Sequence, residues 1–319
     1  MRVFVAGASG AVGRRLVPKL IERGHEVVAT GRRPEKLDGL RALGAETVVM
    51  DGLDPASVGE AVAVAEPEVV IHQMTALAGM SDLRHFDAGF ARTNELRTRG
   101  LDHLLAAADA VGVRRIVAQS YTGWPNQRAG GPVKTERDPL DPDPPKHQRR
   151  SIEAIAYLER AVTSAAPIQG IALRYGSLYG PGTSMSEEYA SLIRARKLPV
   201  VGGGTGIWSF VHVDDAAAAA VVAAEGGPAG VYNIVDDEPA RVSEWLPYLA
   251  ECLGARPPRH VPAWIARFAI GDVGVSMMTR VRGASNAKAK AELGWEPAWR
   301  TWRDGFVSGR DDLSMRTAA

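Results

Sequence analysis

The sequence contains a single cysteine, Cys252, among 319 residues. One cysteine excludes an intramolecular disulfide framework and any zinc site built on several cysteines, and it is typical of a protein from a reducing compartment. The chain also has almost no net charge, since 38 lysines and arginines nearly cancel 37 aspartates and glutamates. Because there is no basic excess, we expect neither nucleic acid nor a membrane surface among the partners.

Long apolar runs are absent as well. The most apolar stretch, Ala216–Ala224, is bounded by two acidic residues and falls far short of the roughly 20 residues needed to cross a bilayer. The first residues lack the basic segment and apolar run of a signal peptide. We therefore expect a soluble, cytoplasmic protein, and the length suggests about two domains.

Short β-branched runs alternate with longer amphipathic segments through the first half of the chain. The segments Val12–Arg23 and Thr93–Val111 have apolar residues at helical spacing. Alternating strands and helices predict an α/β fold, a Rossmann-type doubly wound parallel sheet covered by helices on both faces. The predicted strands are Arg2–Ala6, Glu26–Thr30, Thr47–Met50, Glu68–His72, Arg115–Gln119, Gln169–Leu173 and Gly230–Val235.

The alternation loosens after Gly176. We predict a dinucleotide-binding domain over residues 1–176, to which residues 207–236 return. Residues 177–206 and 237–319 would form a smaller, interleaved C-terminal substrate-binding domain. Proline and aspartate dominate Ala129–Pro145, which predicts a loop; a lid over the ligand crevice and a plain linker fit its composition equally.

A glycine triplet follows the first predicted strand and opens the first predicted helix. Glycine at these positions permits a tight turn and lets backbone N–H groups approach a pyrophosphate, while the helix N-terminus supplies partial positive charge. A tight turn without a ligand is the alternative, but the strand before and helix after favour a dinucleotide. The predicted phosphate-binding residues are Gly7, Ser9, Gly10, Ala11, Val12 and Gly13.

The end of the second strand bears on the choice of cofactor. NAD sites usually carry an acidic residue there, whereas this chain has Arg32 and Arg33 and no acid until Glu35. Guanidinium groups match the geometry of a phosphate, so we expect NADP, with NAD less favoured. A solvated basic turn is the alternative reading of these two arginines.

Several longer segments resemble the extended short-chain dehydrogenase/reductase family, which contains NAD-dependent epimerases and dehydratases of nucleotide sugars. The segments are VVMDGLDP at 48–55, VVIHQMTA at 69–76, ALRYGSLYGPG at 172–182, WSFVHVDDAAAAAV at 208–221 and AKAELGWEP at 289–297. The resemblance implies that Asp51 contacts adenine and that Asn94 supports the active-site helix. The further cofactor-lining residues that it implies are Gly52, Leu53, Gln73, Met74, Thr75 and, near the nicotinamide, Tyr175 and Gly176.

The family's catalytic tyrosine and lysine, four residues apart on one helix, have no counterpart here. No tyrosine of the chain is followed four residues later by lysine, and alignment on Glu159 places Ser151 and Ile155 at the two positions. Neither side chain replaces a phenol or an ammonium group, and losing a positioned acid–base group typically costs about 10²–10⁴ in rate. The chain is therefore expected to be an atypical member.

Other groups remain as catalytic candidates. The resemblance places Ser120 where a family serine or threonine bonds the substrate carbonyl, a role that needs only a placed donor. Tyr121 and Tyr175 are the candidate phenols, and water is the alternative proton source. We expect no metal in the site.

These observations favour an NADP(H)-dependent oxidoreductase that acts on a small-molecule carbonyl or alcohol with a non-standard proton donor. The alternatives are a nucleotide-sugar-type epimerase or dehydratase, and a catalytically silent NADP(H)-binding sensor or scaffold. Family members commonly pair through two helices, here about Thr93–Val111 and Arg150–Ala165. The resemblance therefore implies a homodimer.

Overall fold

The computed structural model describes residues 1–77 and 82–307 as an α/β structure with one main sheet. Its strands are β1 (Arg2–Ala6), β2 (Glu26–Gly31), β3 (Glu46–Val49), β4 (Val69–His72), β5 (Arg115–Tyr121), β6 (Val133–Lys134), β7 (Gln169–Tyr175), β8 (Ser177–Tyr179), β9 (Val200–Val201), β10 (Ile207–Trp208), β11 (Phe210–His212), β12 (Gly230–Ile234), β13 (Ala240–Arg241), β14 (His260–Val261) and β15 (Gly283–Ala284). Its α-helices are α1 (Gly13–Glu22), α2 (Asp38–Ala42), α3 (Pro55–Ala65), α4 (Phe86–Gly89), α5 (Ala91–Arg97), α6 (Arg99–Ala110), α7 (Arg149–Thr163), α8 (Ala190–Arg194), α9 (Val213–Glu225), α10 (Val242–Cys252) and α11 (Ala263–Thr279).

Seven parallel strands form the main sheet in the order β12-β7-β5-β4-β1-β2-β3. The predicted fold class is confirmed, and each predicted strand lies in this sheet with ends that differ by at most two residues. The neighbours β1 and β4 mark the point where the strand order reverses. Ligands of such sheets bind outside the carboxyl ends of the strands at this point.

Helices cover both faces of the sheet. Helices α1 and α9 pack on one face, and α3, α6 and α7 contribute apolar residues to the core on the other. The segment predicted as one helix over Thr93–Val111 is divided at Thr98, whose backbone has φ −105° and ψ −88°. The Thr98 hydroxyl donates to the Asn94 carbonyl at 2.9 Å, the kind of local hydrogen bond that competes with a continuous helix.

A third apolar core lies in the C-terminal part of the chain, around the fully buried Phe210, Trp245 and Trp302. Two-stranded pairs connect the segments there, for example the parallel pair of β8 with β11. Strand β12 returns to the edge of the main sheet beside β7. The domain boundaries given from the sequence stay a prediction. Among the described residues, no helix is long and apolar enough to cross a bilayer.

The segment Ala129–Pro145 is neither a free lid nor a plain linker. Within it, β6 pairs in parallel with β15, and Glu136 accepts a hydrogen bond of 2.7 Å from the amide of Asn233 in β12. Just before it, buried Arg128 donates to Ser276 of α11 at 2.7 Å and pairs with Asp141. Both the sheet and the C-terminal part therefore hold this segment.

Candidate active site

The glycine turn after β1 is shaped by close backbone packing. Gly7 has φ +89°, and a Cβ atom there would lie 2.8 Å from the carbonyl carbon of Gln73. A Cβ atom on Gly13 would lie 2.5 Å from the carbonyl oxygen of Ala8. Both positions require glycine because any side chain would push the turn away from β4 or from its own helix.

The same turn presents unpaired backbone donors. Gly10 is exposed, and a Cβ atom there would meet only the Gly7 carbonyl oxygen, at 3.3 Å. Within the described residues, the amides of Ala11 and Val12 at the start of α1 donate to no protein acceptor. Free amides at a helix N-terminus bind anions, so the turn fits a pyrophosphate.

A cleft opens at the carboxyl ends of β1, β2 and β4, and we call it the cofactor cleft. Its lining residues are Gly7, Ser9, Gly10, Thr30, Gly31, Arg32, Met50, Asp51, Gly52, Gln73, Met74, Thr75, Arg92 and Leu96. Nine of the residues predicted to bind the cofactor thus meet in one place. The others do not line it: Ala11, Val12 and Gly13 belong to the start of α1, while Arg33, Leu53, Asn94 and Gly176 lie outside it.

The end of the cofactor cleft beside β2 carries both signs of charge. Arg32 is exposed at the end of β2 and lines the cleft, whereas Arg33 lies outside it with its Nε 3.8 Å from Glu35. Asp51 accepts a hydrogen bond from the Leu53 amide, and its other oxygen lies 3.5 Å from Arg92. This end can therefore bind a phosphate through Arg32 and a polar group of the adenosine through Asp51.

The other end of the cofactor cleft is closed by buried polar groups. Gln73 follows β4 and donates from Nε2 to the Tyr175 hydroxyl at 3.2 Å, while its Oε1 is buried and has no partner among the residues that the structure describes. Burial raises the pKa of Tyr175 well above its ordinary value, so this phenol stays protonated. Gly176 packs against the Ser209 carbonyl rather than facing the cleft.

Ser120 does not line the cofactor cleft, and its contact with the substrate carbonyl stays a prediction. Its side chain is fully buried, and its hydroxyl donates to Glu159 of α7 at 2.7 Å. Glu159 also accepts two hydrogen bonds of 2.7 Å from Arg174. Because consecutive residues of a strand point to opposite faces, Ser120 faces α7 and its neighbour Tyr121 faces the other way.

Tyr121, the last residue of β5, is partly exposed. Its hydroxyl is hydrogen bonded to the Ser177 hydroxyl at 3.0 Å, and its ring stacks on Trp124 with centroids 5.4 Å apart. Burial raises the pKa of Tyr121, while Ser177 and the charge of Arg97 act in the opposite direction. Tyr121 is thus a protonated phenol near neutral pH.

The helix α7 positions aligned with the catalytic pair hold no acid–base group. Ser151 is buried, accepts a hydrogen bond of 3.1 Å from Asn94 and donates to Asp87 at 2.6 Å. Ile155, one turn further, is fully buried in the apolar core. Asn94 therefore does contact the active-site helix, and the hydroxyl at position 151 is held between two neighbours.

Arg97 was not singled out in the sequence. It lies on α5 three residues after Asn94, on the same side of the helix, and is only 2% exposed. Its guanidinium carbon lies 5.9 Å from the centre of the Phe90 ring, and its Nε and Nη1 have no hydrogen-bond partner in the part of the chain that the structure describes. Its spacing from Asn94 places both residues on one side of the helix, but the sequence carries no signal that this side is buried.

The family of this chain is shown by its sequence match to a family model. Residues 3–235 match the model of the NAD dependent epimerase/dehydratase family, and the chain belongs to that family. It is an enzyme of the oxidoreductase type.

Individual relatives show what this chain is similar to. It is 45% identical over 310 residues to a 3-diazoavenalumate denitrifying reductase of a Streptomyces species, covering 96% of this chain and 99% of that protein. It is 29% identical over 260 residues to 4-hydroxy-2-methyl-3-oxo-4-farnesyl-3,4-dihydroquinoline-1-oxide ketoreductase of Stigmatella aurantiaca, covering 80% and 74%. The structure of MoeE5 in complex with UDP-glucose and NAD superposes with a TM-score of 0.74 at 26% identity, covering all of both chains.

Proposed function

We propose that this enzyme is an NADP(H)-dependent reductase that delivers hydride to a small organic acceptor without a tyrosine–lysine proton relay. The observation that carries the proposal is the pair Ser151 and Ile155, one held by Asn94 and Asp87 and the other buried in apolar core. A reaction that requires strong proton donation at this position is poorly served by these side chains.

The cofactor part of the proposal rests on the cofactor cleft. The glycine turn and the free amides of Ala11 and Val12 would hold the pyrophosphate, and Arg32 would hold a 2′-phosphate. The unpaired Oε1 of buried Gln73 is a hydrogen-bond acceptor suited to a carboxamide at the nicotinamide end. MoeE5, which binds NAD, supports a nicotinamide cofactor. When bound, NADPH supplies the hydride.

A site without a strong proton donor suits a hydride acceptor whose reduction consumes no proton. An aromatic diazonium group takes hydride at the ring carbon that carries nitrogen; a C–H bond forms, the C–N bond breaks and dinitrogen leaves with the bonding electrons. The product is the unsubstituted ring, and no acid is needed. The relative named as a 3-diazoavenalumate denitrifying reductase supports this acceptor for our chain.

Carbonyl reduction is the second candidate, and Tyr121 favours it. Reduction of a ketone adds hydride to carbon and a proton to oxygen, so a donor is needed. The Tyr121 phenol stands at the end of β5 beside Ser177, and the related ketoreductase supports this acceptor. An epimerase or dehydratase fits the family equally.

Turnover of two acceptor sets separates the candidates. We expect NADPH, and not NADH, to be oxidised with simple arenediazonium acids, at a rate that Tyr121→Phe leaves within about threefold because no proton is donated. A carbonyl reductase that uses Tyr121 would instead oxidise NADPH with ketones and lose about 10²–10⁴ in rate in the same variant. Ser177→Ala is the matched control, since it removes the hydroxyl beside Tyr121 but keeps the phenol.

A further inference from the structure

The guanidinium of Arg97 is buried, and two of its nitrogens have no hydrogen-bond partner within residues 1–77 and 82–307. Two of its three nitrogens, Nε and Nη1, are enclosed and bonded to nothing among the described residues. Buried polar groups are normally satisfied, and leaving a buried charge unpaired is costly. Burial lowers the pKa of Arg97 to about 10, which keeps the group charged at neutral pH. A ligand that binds beside such a cation can supply the missing hydrogen-bond acceptor.

The one carboxylate that acts on the charge of Arg97 is already shared with another cation. Glu159 attracts Arg97 electrostatically but accepts two hydrogen bonds from Arg174 and one from Ser120. The three buried charges of Arg97, Arg174 and Glu159 therefore sum to one net positive charge.

A neutral histidine does not change that balance. Burial lowers the pKa of His72 to about 4, so its ring is neutral at neutral pH, and it accepts a hydrogen bond from the Met74 amide. Arg97 acts electrostatically on His72 at the end of β4, on Tyr121 at the end of β5 and on Glu159 of α7. The uncompensated charge therefore lies at the carboxyl ends of the central strands, where ligands of this fold bind.

Phe90, whose ring lies under the Arg97 guanidinium, belongs to a cluster of aromatic rings, and we call Phe86, Phe90, Tyr121 and Trp124 the aromatic wall. Phe86 and Phe90 stack with centroids 4.3 Å apart, and both meet Trp124 edge-on at 5.0 and 5.7 Å. Three members are at most 7% exposed, whereas Tyr121 is partly exposed. A planar ligand can therefore pack against Tyr121, since offset-stacked rings attract each other.

We propose that the acceptor of this enzyme is a planar aromatic anion whose ring packs against Tyr121 and whose charged oxygen accepts hydrogen bonds from Arg97. This inference rests on the proposed function in one respect, which is that the acceptor binds at the carboxyl end of β5. It extends that function by naming the charge and shape of the substrate. A guanidinium and a carboxylate or phenolate form charge-assisted hydrogen bonds, which are stronger than neutral ones.

Binding of an unreactive pair of probes tests this assignment. The probes are 4-hydroxycinnamate and its methyl ester, which share a planar ring and differ in charge. Their dissociation constants are measured calorimetrically with NADP⁺ at saturation, so that the cofactor cleft is filled. We expect the wild-type enzyme to prefer the acid by about tenfold or more, the value of a hydrogen bond between charged groups.

Three variants test whether the preference for the acid over the ester depends on Arg97. Arg97→Met should remove it, Arg97→Lys should keep part of it because the charge remains, and Arg99→Met should leave it unchanged. Arg99 is the matched control because it is exposed and lies two residues away. If Arg97→Met does not fold, the wild-type ratio and Arg97→Lys still decide.

Equal affinity for acid and ester in the wild-type enzyme, failure of both probes to bind, or a preference that survives Arg97→Met would overturn the inference. Its failure can be told apart from failure of the proposed function. A charge preference without NADPH oxidation would leave the inference standing and remove the reductase. NADPH oxidation without a charge preference would do the reverse.

Discussion

At the scale of single residues, the chemistry of the site depends on which face of a strand each side chain occupies. Ser120 and Tyr121 are adjacent, yet one donates to Glu159 and the other bonds Ser177. A shift of one residue exchanges the two faces of a strand. The sequence alone identified both residues but could not determine which of them faces the ligand, because that depends on how α7 packs against β5.

The burial of Arg97 is a second feature that could not be predicted from the sequence. Its sequence neighbourhood is polar, and nothing in it indicates burial. Burial comes from the packing of α5 against α7, which also brings Asn94 to Ser151. Tertiary packing of this kind has no local signal, whereas the glycine turn could be predicted because its spacing and its flanking elements are local.

Arg32 carries the first prediction at this scale. We expect Arg32→Ala to weaken NADPH binding by about 10–100-fold, because a charge-assisted hydrogen bond to the 2′-phosphate is lost. NADH binding should be unchanged. Fluorescence titration with both cofactors measures this effect, and Arg33→Ala is the control because Arg33 lies outside the cofactor cleft. A wild-type enzyme that binds NADH more tightly than NADPH would contradict the cofactor assignment.

At the scale of elements, the strands were predictable and some connections were not. Buried parallel strands are continuous β-branched runs, and this signal located all seven. The break at Thr98 and the fixed course of Ala129–Pro145 were not predicted, since both depend on side-chain hydrogen bonds to partners distant in sequence or across a turn. Proline content reveals a loop but not what holds it.

Arg128 provides the prediction for this loop. Replacing it with methionine leaves Asp141 buried without its cation, which typically costs about 3–5 kcal/mol of stability. We expect lower stability in urea unfolding and faster proteolytic cleavage within Ala129–Pro145. The double variant Arg128→Met/Asp141→Leu should recover part of the loss, because no unpaired charge remains. Unchanged cleavage in the single variant would show that Arg128 does not hold the loop.

At the scale of the whole molecule, two buried groups set how stability depends on pH. Burial raises the pKa of Asp236 to about 8, and burial lowers the pKa of His72 to about 4. Between pH 4 and 6.5 their effects oppose each other, since folded Asp236 keeps a proton that the unfolded chain releases and folded His72 lacks one that the unfolded chain binds. Above pH 6.5 only Asp236 of these two groups still differs in protonation between the folded and unfolded chain, and its contribution to stability falls as pH rises.

The expected fall in unfolding free energy between pH 6.5 and pH 8 is about 2 kcal/mol. Asp236→Asn should flatten this decline, because the amide cannot ionise. Chemical unfolding at several pH values in both proteins measures the effect. A wild-type decline that persists unchanged in Asp236→Asn would assign it to another group.

The homodimer through the helices around Thr93–Val111 and Arg150–Ala165 stays a prediction.

The central claim, hydride transfer that needs no protein acid, has one direct test. NADPH carrying deuterium at the transferring C4 position is incubated with an arenediazonium acid in ordinary water, and unlabelled NADPH is incubated in D₂O. We predict deuterium on the ring carbon that carried nitrogen in the first experiment and none in the second. Deuterium acquired from D₂O, or reduction of the diazonium group with retention of nitrogen, would contradict the account.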